Sequence, residues 1–304
     1  ITVRLGNSIV GDDHPPVLVF EAGATHRGLI DAKWLTRETH GAAGIKFQTL
    51  WADNMMSSVD SEIEYEDSTG KRKESLYKLL KQRELPMEEW IELAEYAKSI
   101  NVFWFTSPDS PETIDALLSH GLGAIKIMGG DMTYIQLIEY AAKTGLPILL
   151  DSRGTLKEVA EAVRICEQAG NQKIIIVHCP SGYPAPTASL GLIKVYRDTF
   201  PYPVGFSDHS PLPNSSIQAV TMGASFIEKC VSSDPTRPGV ENIMSIHPDQ
   251  IPSMRAQLLT AWNDSRDDKP AWSIPARRSI VLKRGLNKGK PIAADNIAFK
   301  RPGT

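Results

Sequence analysis

The 304-residue sequence predicts an α/β chain whose main body is a (β/α)8 TIM barrel, on three observations. Eight short apolar runs alternate with longer amphipathic stretches, the pattern of a parallel sheet covered by helices. Each run is followed by a helix or by a loop long enough to hold one, which favours a closed barrel over an open sheet. The turn after the first run reads "EAGATHRG" and lacks the GxGxxG spacing that an open dinucleotide-binding sheet would carry there.

In chain order the predicted strands are Val17–Phe20, Gly44–Gln48, Val102–Thr106, Ala124–Ile127, Pro147–Asp151, Lys173–His178, Pro203–Ser207 and Ala224–Lys229. Helical periodicity is clearest over Glu88–Ser99, Pro111–His120, Tyr134–Gly145 and Thr155–Gly170; the last two end in the glycine expected of a C-terminal cap. Two stretches break the rhythm. Residues 51–85, with the charged "YEDSTGKRKES", read as a long loop of the kind that often serves function. Trp272–Thr304 is basic, rich in Gly and Pro, and alternates like strands in "SIVLK" and "NIAFKR". A boundary is therefore expected near residue 276, dividing a barrel over 1–276 from a segment 277–304 of about 28 residues, too few to bury a core of their own.

Composition narrows the function classes. Hydrophobic residues at 41% and charged residues at 23% are ordinary for a globular chain, and a net charge of -3 offers no basic face to nucleic acid. No run approaches the roughly 18 apolar residues of a membrane span. The three cysteines, Cys166, Cys179 and Cys230, match neither a disulfide framework nor a CxxC pair, which suits a reducing, cytoplasmic setting. A small-molecule partner is the expectation that remains.

An α/β barrel builds its active site at the C-terminal ends of its strands. There this sequence places Glu21, Lys46 with Gln48, Thr106 with Ser107, Lys126 with Asp131, Asp151, His178 with Cys179, Ser207 with Asp208 and His209, and Glu228 with Cys230. Charged side chains are rarely buried unless paired or at work. Lys46 and Lys126 interrupt apolar strands. With Ser107 and Ser207 they would cradle an anion such as a phosphate and carboxylate; the alternative is that they pair with Glu21, Asp131 or Glu228. His178, His209 and Cys230 end neighbouring strands and are metal-ligand types, although without a zinc-finger spacing; a histidine satisfied by ordinary hydrogen bonds is the alternative.

The segments "FEAGATHRG", "AAGIKFQTL", "ESLYKLLKQRELPMEEW", "FTSPDSPETIDALL", "AIKIMGGDMT", "VHCPSGYPAP", "PVGFSDHS", "GASFIEKC", "RPGVENIMSI" and "FKRPGT" follow one another as in the sialic acid synthase family, which the sequence resembles over essentially its whole length. The resemblance implies an N-acetylneuraminate synthase-like barrel followed by the start of a small β-rich antifreeze-like (SAF) domain. It implies a transferase that condenses phosphoenolpyruvate with an open-chain aldose, N-acetylmannosamine-like or otherwise modified, to give a nonulosonic or related 2-keto-3-deoxy sugar acid and phosphate. By the same resemblance Lys46, Ser107, Lys126 and Ser207 would hold phosphoenolpyruvate. Glu21, Gln48, Asp131 and Tyr183 would orient the acceptor and the attacking groups, with Glu21, Gln48, Lys126 and Asp131 as the catalytic set. Arg301 in "KRPGT" would reach the partner's acceptor in a domain-swapped homodimer. A divalent metal, Mn or Mg, would polarise the aldehyde from the histidines of the family's "SDH" and "EKH", here His209 and Cys230.

Several positions depart from that family pattern. Gly129 stands where "ASGD" has a phosphate-binding serine, Glu241 where "PGPDH" has an acceptor-binding aspartate, and Asp151-Ser152-Arg153-Gly154 where "STGMAT" begins; "NHNG" becomes Thr25 to Gly28. These changes imply an acceptor other than N-acetylmannosamine, with Glu241 and Arg153 among the substrate-binding residues. Cys230 in place of histidine moves the metal preference toward Zn, Fe or Co. Two further readings stand beside this one: a non-catalytic or metal-independent homologue that binds an anionic sugar or phosphate, and a Schiff-base aldolase using Lys126.

Overall fold

Eight parallel strands close into a barrel in chain order: β1 (Val17–Glu21), β2 (Gly44–Thr49), β3 (Trp104–Pro108), β4 (Ile125–Ile127), β5 (Ile148–Asp151), β6 (Ile174–His178), β7 (Val204–Asp208) and β8 (Phe226–Cys230). The computed structural model describes residues 1–186, 188–211, 214–266 and 278–301. Each predicted strand is found within a few residues of its expected place. Almost every strand residue is buried, because barrel strands are covered by helices outside and by side chains inside.

Helices α1 (Leu29–Glu38), α2 (Met87–Ser99), α3 (Pro111–Leu118), α4 (Ile135–Lys143), α5 (Leu156–Gln168), α6 (Gly191–Thr199), α7 (Ser215–Thr221) and α8 (Ile251–Asp264) follow the strands in turn. Their ends have local causes. Thr155 caps α5 by accepting from the Glu158 amide at 3.2 Å, and Glu158 returns the contact to the Thr155 amide at 2.6 Å. The helix then buries Val159, Ala162, Val163 and Cys166 against the barrel, each large apolar side chain contributing roughly 1.5–3 kcal/mol. Ser110 caps α3, with Pro111 in the first turn, where its missing N–H costs nothing.

The strand register lines up the polar residues. Ser207 sits opposite Glu228, Cys230 opposite Glu21, Glu21 opposite Lys46, and Gln48 opposite Ser107. Because side chains alternate along a strand, Lys46 and Gln48 share one face of β2 while Ile45 and Phe47 take the other.

The stretch 51–85, expected to be a loop, is structured. It holds short helices over Ala52–Met55 and Leu76–Lys81 and an antiparallel hairpin, Glu62–Asp67 with Gly70–Ser75. Asp67 makes the turn by accepting from the amide and hydroxyl of Thr69 at 2.8 and 2.6 Å. Glu64 faces Lys73, and Glu66 faces Lys71, so opposite charges pair across the ladder. An unexpected N-terminal hairpin, Val3–Leu5 with Ser8–Val10, adds buried Val3, Leu5 and Val10 to the core.

The chain divides into two units, Ile1–Ser265 and Arg266–Thr304. The boundary expected near residue 276 lies outside the described residues. Within the second unit Ser279–Leu282 pairs antiparallel with Ile297–Lys300, where strand-like alternation is read from the sequence. Among the described residues no helix is long and apolar enough to cross a membrane.

Candidate active site

At the barrel mouth the ends of β1, β2, β4, β7 and β8 converge on two lysines and two glutamates, each no more than 3% exposed. Lys126 donates to Glu228 Oε1 at 2.6 Å, Ser207 donates to the same oxygen at 2.8 Å, and Lys46 stands 3.9 Å from it. Lys46 is itself ion-paired with Glu21. Of the two sequence-level alternatives for the lysines, pairing is therefore realised, with Glu21 and Glu228 as partners and Asp131 not among them. Glu228 reaches Lys126 across the barrel, from β8 to β4, a contact only closure can make.

The electrostatics follow from burial and pairing. Burial brings Lys46 down to about 8, against the pull of Glu228. Burial opposes the charge on Lys126 as well, but Glu228 and Asp151 outweigh it and raise that lysine. The carboxyl of Glu228 is disfavoured by burial, yet Lys126 and then Lys46 hold it below the usual range. Glu21 needs Gly23 beside it: a Cβ there would lie 2.5 Å from Glu21 Oε1 and 2.6 Å from the Gln48 amide. Gln48 donates more loosely to that same glutamate oxygen, at 3.4 Å. Ser107 Oγ and Glu228 Oε2 are buried without a hydrogen-bond partner among the described residues. Buried polar atoms are rarely left so, which marks this part of the mouth.

Loops supply the rest. Arg153, just past β5, grips Asp151 through Nε at 3.3 Å and Nη2 at 3.1 Å, and donates from Nη1 to Tyr183 Oη at 2.7 Å. Burial opposes its charge, but Asp151 raises it well above the ordinary arginine value. Asp131 ends a 3-10 turn, Gly129–Asp131; burial, and then Asp109, lift its carboxyl to about 6, and its Oδ2 has no partner among the described residues. Glu241 is 5% exposed and held at φ 73, a left-handed conformation uncommon for a residue with a Cβ. The hairpin of the 51–85 stretch is tied over these loops: the Glu66 amide donates to the Tyr183 carbonyl at 2.7 Å and the Gly239 amide to Asp67 Oδ2 at 3.0 Å.

One pocket of ≈ 370 Å³ is lined by Glu21, Lys46, Gln48, Lys126, Asp131, Arg153, Tyr183, His209, Glu228 and Glu241 together. Ser107, Ser207 and Cys230 are buried and are not among the lining residues. Arg301 belongs to the second unit, just after its second strand. His178 is satisfied structurally, by the Ala188 carbonyl at 3.0 Å and by Ser152 at 3.5 Å. Sequence reading missed Arg83. It lines the pocket with Leu79, Leu80 and Val240, and its guanidinium makes no ion pair or hydrogen bond with the described residues; burial lowers its pKa, and Glu241 is the largest charge acting against that. A lone arginine after an apolar helical turn was the available signal.

The metal expectation meets a different arrangement. His209 Nε2 lies 3.7 Å from Cys179 Sγ, while Cys230 Sγ donates to Glu241 Oε2 at 3.7 Å. Burial, then Arg153 and Lys126, push His209 down to about 3, so the imidazole is neutral, and its Nδ1, without a hydrogen-bond partner among the described residues, is a competent ligand atom. Burial and then Glu241 push the Cys230 thiol well above its usual value; a thiol must lose its proton to bind metal. Among the described residues no three His, Cys, Asp or Glu side chains converge where a cation could sit. Among the described residues His209 and Cys230 are therefore not joined by a third ligand into a formed metal site.

Comparison with known proteins identifies the family. Residues 36–268 match the NeuB family. An uncharacterized protein of Methanocaldococcus jannaschii is 34% identical, covering 99% of this chain and 89% of its own. The N,N'-diacetyllegionaminic acid synthase of Legionella pneumophila is 31% identical, over 94% of this chain and 85% of its own. Among solved structures, the N-acetylneuraminic acid synthetase of Leptospira borgpetersenii, in complex with citrate, superposes with a TM-score of 0.77 at 25% identity, covering 90% of this chain and 93% of that one. The barrel and these likenesses agree: the chain belongs to the NeuB family, the family of the sialic, legionaminic and pseudaminic acid synthases.

Proposed function

We propose that this enzyme condenses phosphoenolpyruvate with an open-chain aldose to give a nonulosonic or related 2-keto-3-deoxy sugar acid and phosphate. The observation that carries the reading is the buried Lys46, Lys126, Glu21 and Glu228 network opening onto the pocket. Pairing does not spend the lysines. An ammonium has three donors, and Lys126 gives one to Glu228, leaving others for the carboxylate and phosphate of phosphoenolpyruvate. The glutamates hold the ammonium groups in place, and Ser107 supplies an uncommitted hydroxyl. Ser207, which donates to Glu228, acts through that carboxylate.

In the reaction C3 of phosphoenolpyruvate attacks the aldehyde carbon, water adds at C2, and phosphate leaves as the ketone forms. A proton passes from that water to the sugar alkoxide. Asp131, ionised at neutral pH but closer to neutrality than an ordinary carboxylate, carries it. Glu21, Gln48 and Tyr183 orient the acceptor, and Glu241 binds its hydroxyls. No step is routed through a metal, since His209 and Cys230 do not form a metal site with a third ligand among the described residues. The Schiff-base alternative asks Lys126 to be a free amine, whereas Glu228 keeps it protonated.

The same reading takes 277–304 as the start of an antifreeze-like domain in a domain-swapped cytoplasmic homodimer, with Arg301 reaching the partner's acceptor. Phosphate release from phosphoenolpyruvate, measured across a panel of neutral, N-acylated and phosphorylated aldoses with and without divalent metals, tests the proposal. Release with at least one aldose is expected. Binding of phosphoenolpyruvate without release from any of them would favour the non-catalytic homologue.

A further inference from the structure

We infer that Arg153 is a bidentate oxyanion ligand of the pocket, standing in space that exists because residue 129 is glycine. A Cβ on Gly129 would lie 2.8 Å from Arg153 Cβ, 2.9 Å from its Nε and 3.2 Å from Asp151 Oδ1. No side chain fits at 129 while Arg153 keeps this position, so the two residues form one device.

A guanidinium has five N–H donors. Nε and one N–H of Nη2 are taken by Asp151, and one N–H of Nη1 by Tyr183. Two donors remain, one on each terminal nitrogen. They sit on a side chain 23% exposed that lines the pocket with Lys126 and Gly129. Asp151, fully buried, and Tyr183 fix the plane of the group before any ligand arrives. Two donors on adjacent nitrogens match two oxygens of one phosphate or carboxylate, and an alcohol offers only one. Resting on the proposed condensation, the anion is the phosphate group of phosphoenolpyruvate.

Titration calorimetry of the full chain with phosphoenolpyruvate, inorganic phosphate and pyruvate tests this. Wild type is expected to bind all three, and Arg153→Met to weaken the first two by about tenfold or more. Unchanged pyruvate binding assigns the fork to phosphate; weakened pyruvate with unchanged phosphate assigns it to carboxylate. Arg153→Met strands Asp151, so Arg153→Lys, which keeps a cation there without the fork, is read beside it. Lysine is expected to recover only part of the affinity, and full recovery would overturn the bidentate contact. Gly129→Ser is expected to weaken phosphate binding in the wild-type background and to cost nothing further once Arg153 is Ala. Wild-type affinity for all three anions in a folded Arg153→Met, or no anion binding by wild type, would overturn the inference. Arg153-dependent phosphate binding without any condensation would instead sink the proposed reaction and leave this inference standing.

Discussion

The two sides of the barrel mouth are built differently. On the β8, β1 and β2 side, short reaches from strand residues lock Glu228, Glu21 and Lys46 into a buried lattice that extends across the barrel to Lys126. On the other side the functional groups ride on loops: Arg153, Tyr183 and Asp131 come from turns after β5, β6 and β4, Glu241 joins them from the long turn after β8, and the hairpin of the 51–85 stretch ties the turns after β6 and β8 together. The lattice pairs each of its charges internally, with Glu228 Oε2 left without a hydrogen-bond partner among the described residues, and owes its geometry to the strand register. The loop side leaves donors and a cation open to the pocket. A rigid charged floor with a variable wall is how one barrel serves several substrates, because wall residues can change without disturbing the floor.

Breaking the floor should have the largest effect. Lys126→Met leaves Glu228 buried with its main counter-charge gone, and removing one partner of a buried pair typically costs about 3–5 kcal/mol. Denaturant unfolding should show that loss together with abolished turnover, while adding Glu228→Leu should recover most of the stability and none of the activity. If the single variant unfolds at the wild-type midpoint, the lattice is not a structural unit.

On the wall, Asp131→Asn should lower kcat by about 10²–10⁴-fold with little change in phosphoenolpyruvate affinity. Its carboxyl, raised from 3.8 to about 6 by burial and Asp109, is favoured protonated in the fold. The stability it contributes is therefore present below about pH 4 and lost as pH rises through about 6, whereas the activity of a proton acceptor rises over that interval. Asparagine should erase both trends. A wild-type rate profile flat between pH 5 and 7 would remove Asp131 from proton transfer.

The same contrast explains what was legible in the sequence. The strands announce themselves as apolar runs between helical stretches, so the barrel and the level of every strand-borne site residue can be read directly. Lys46 and Lys126 stand out as charges inside such runs, yet whether they are free or paired depends on Glu228, which is 102 residues from Lys126 and reaches it only once the barrel closes. The Glu62–Ser75 hairpin escaped because its period-two signal lies in charge and not in hydrophobicity: Glu62, Glu64 and Glu66 answer Lys71 and Lys73, a complementarity visible only when the register is known. Cys230 was legible by position at the end of β8. Its partner, Glu241, became evident only from the fold.

Arg83 gives the finest test of the difference between floor and wall. Every other cation lining the pocket has a carboxylate within ion-pair reach: Lys46 has Glu21, Lys126 has Glu228, and Arg153 has Asp151. Arg83 has none among the described residues, and it stands among Leu79, Leu80 and Val240. A partly buried, unpaired charge costs folding free energy that a ligand can return. If Arg83 belongs to a wall kept open for the acceptor, Arg83→Met should raise the melting temperature slightly, by about 1–2 °C, and raise the acceptor KM several-fold with the phosphoenolpyruvate KM unchanged. A lowered melting temperature would mean that Arg83 holds the structure together, and its place would then be with the floor.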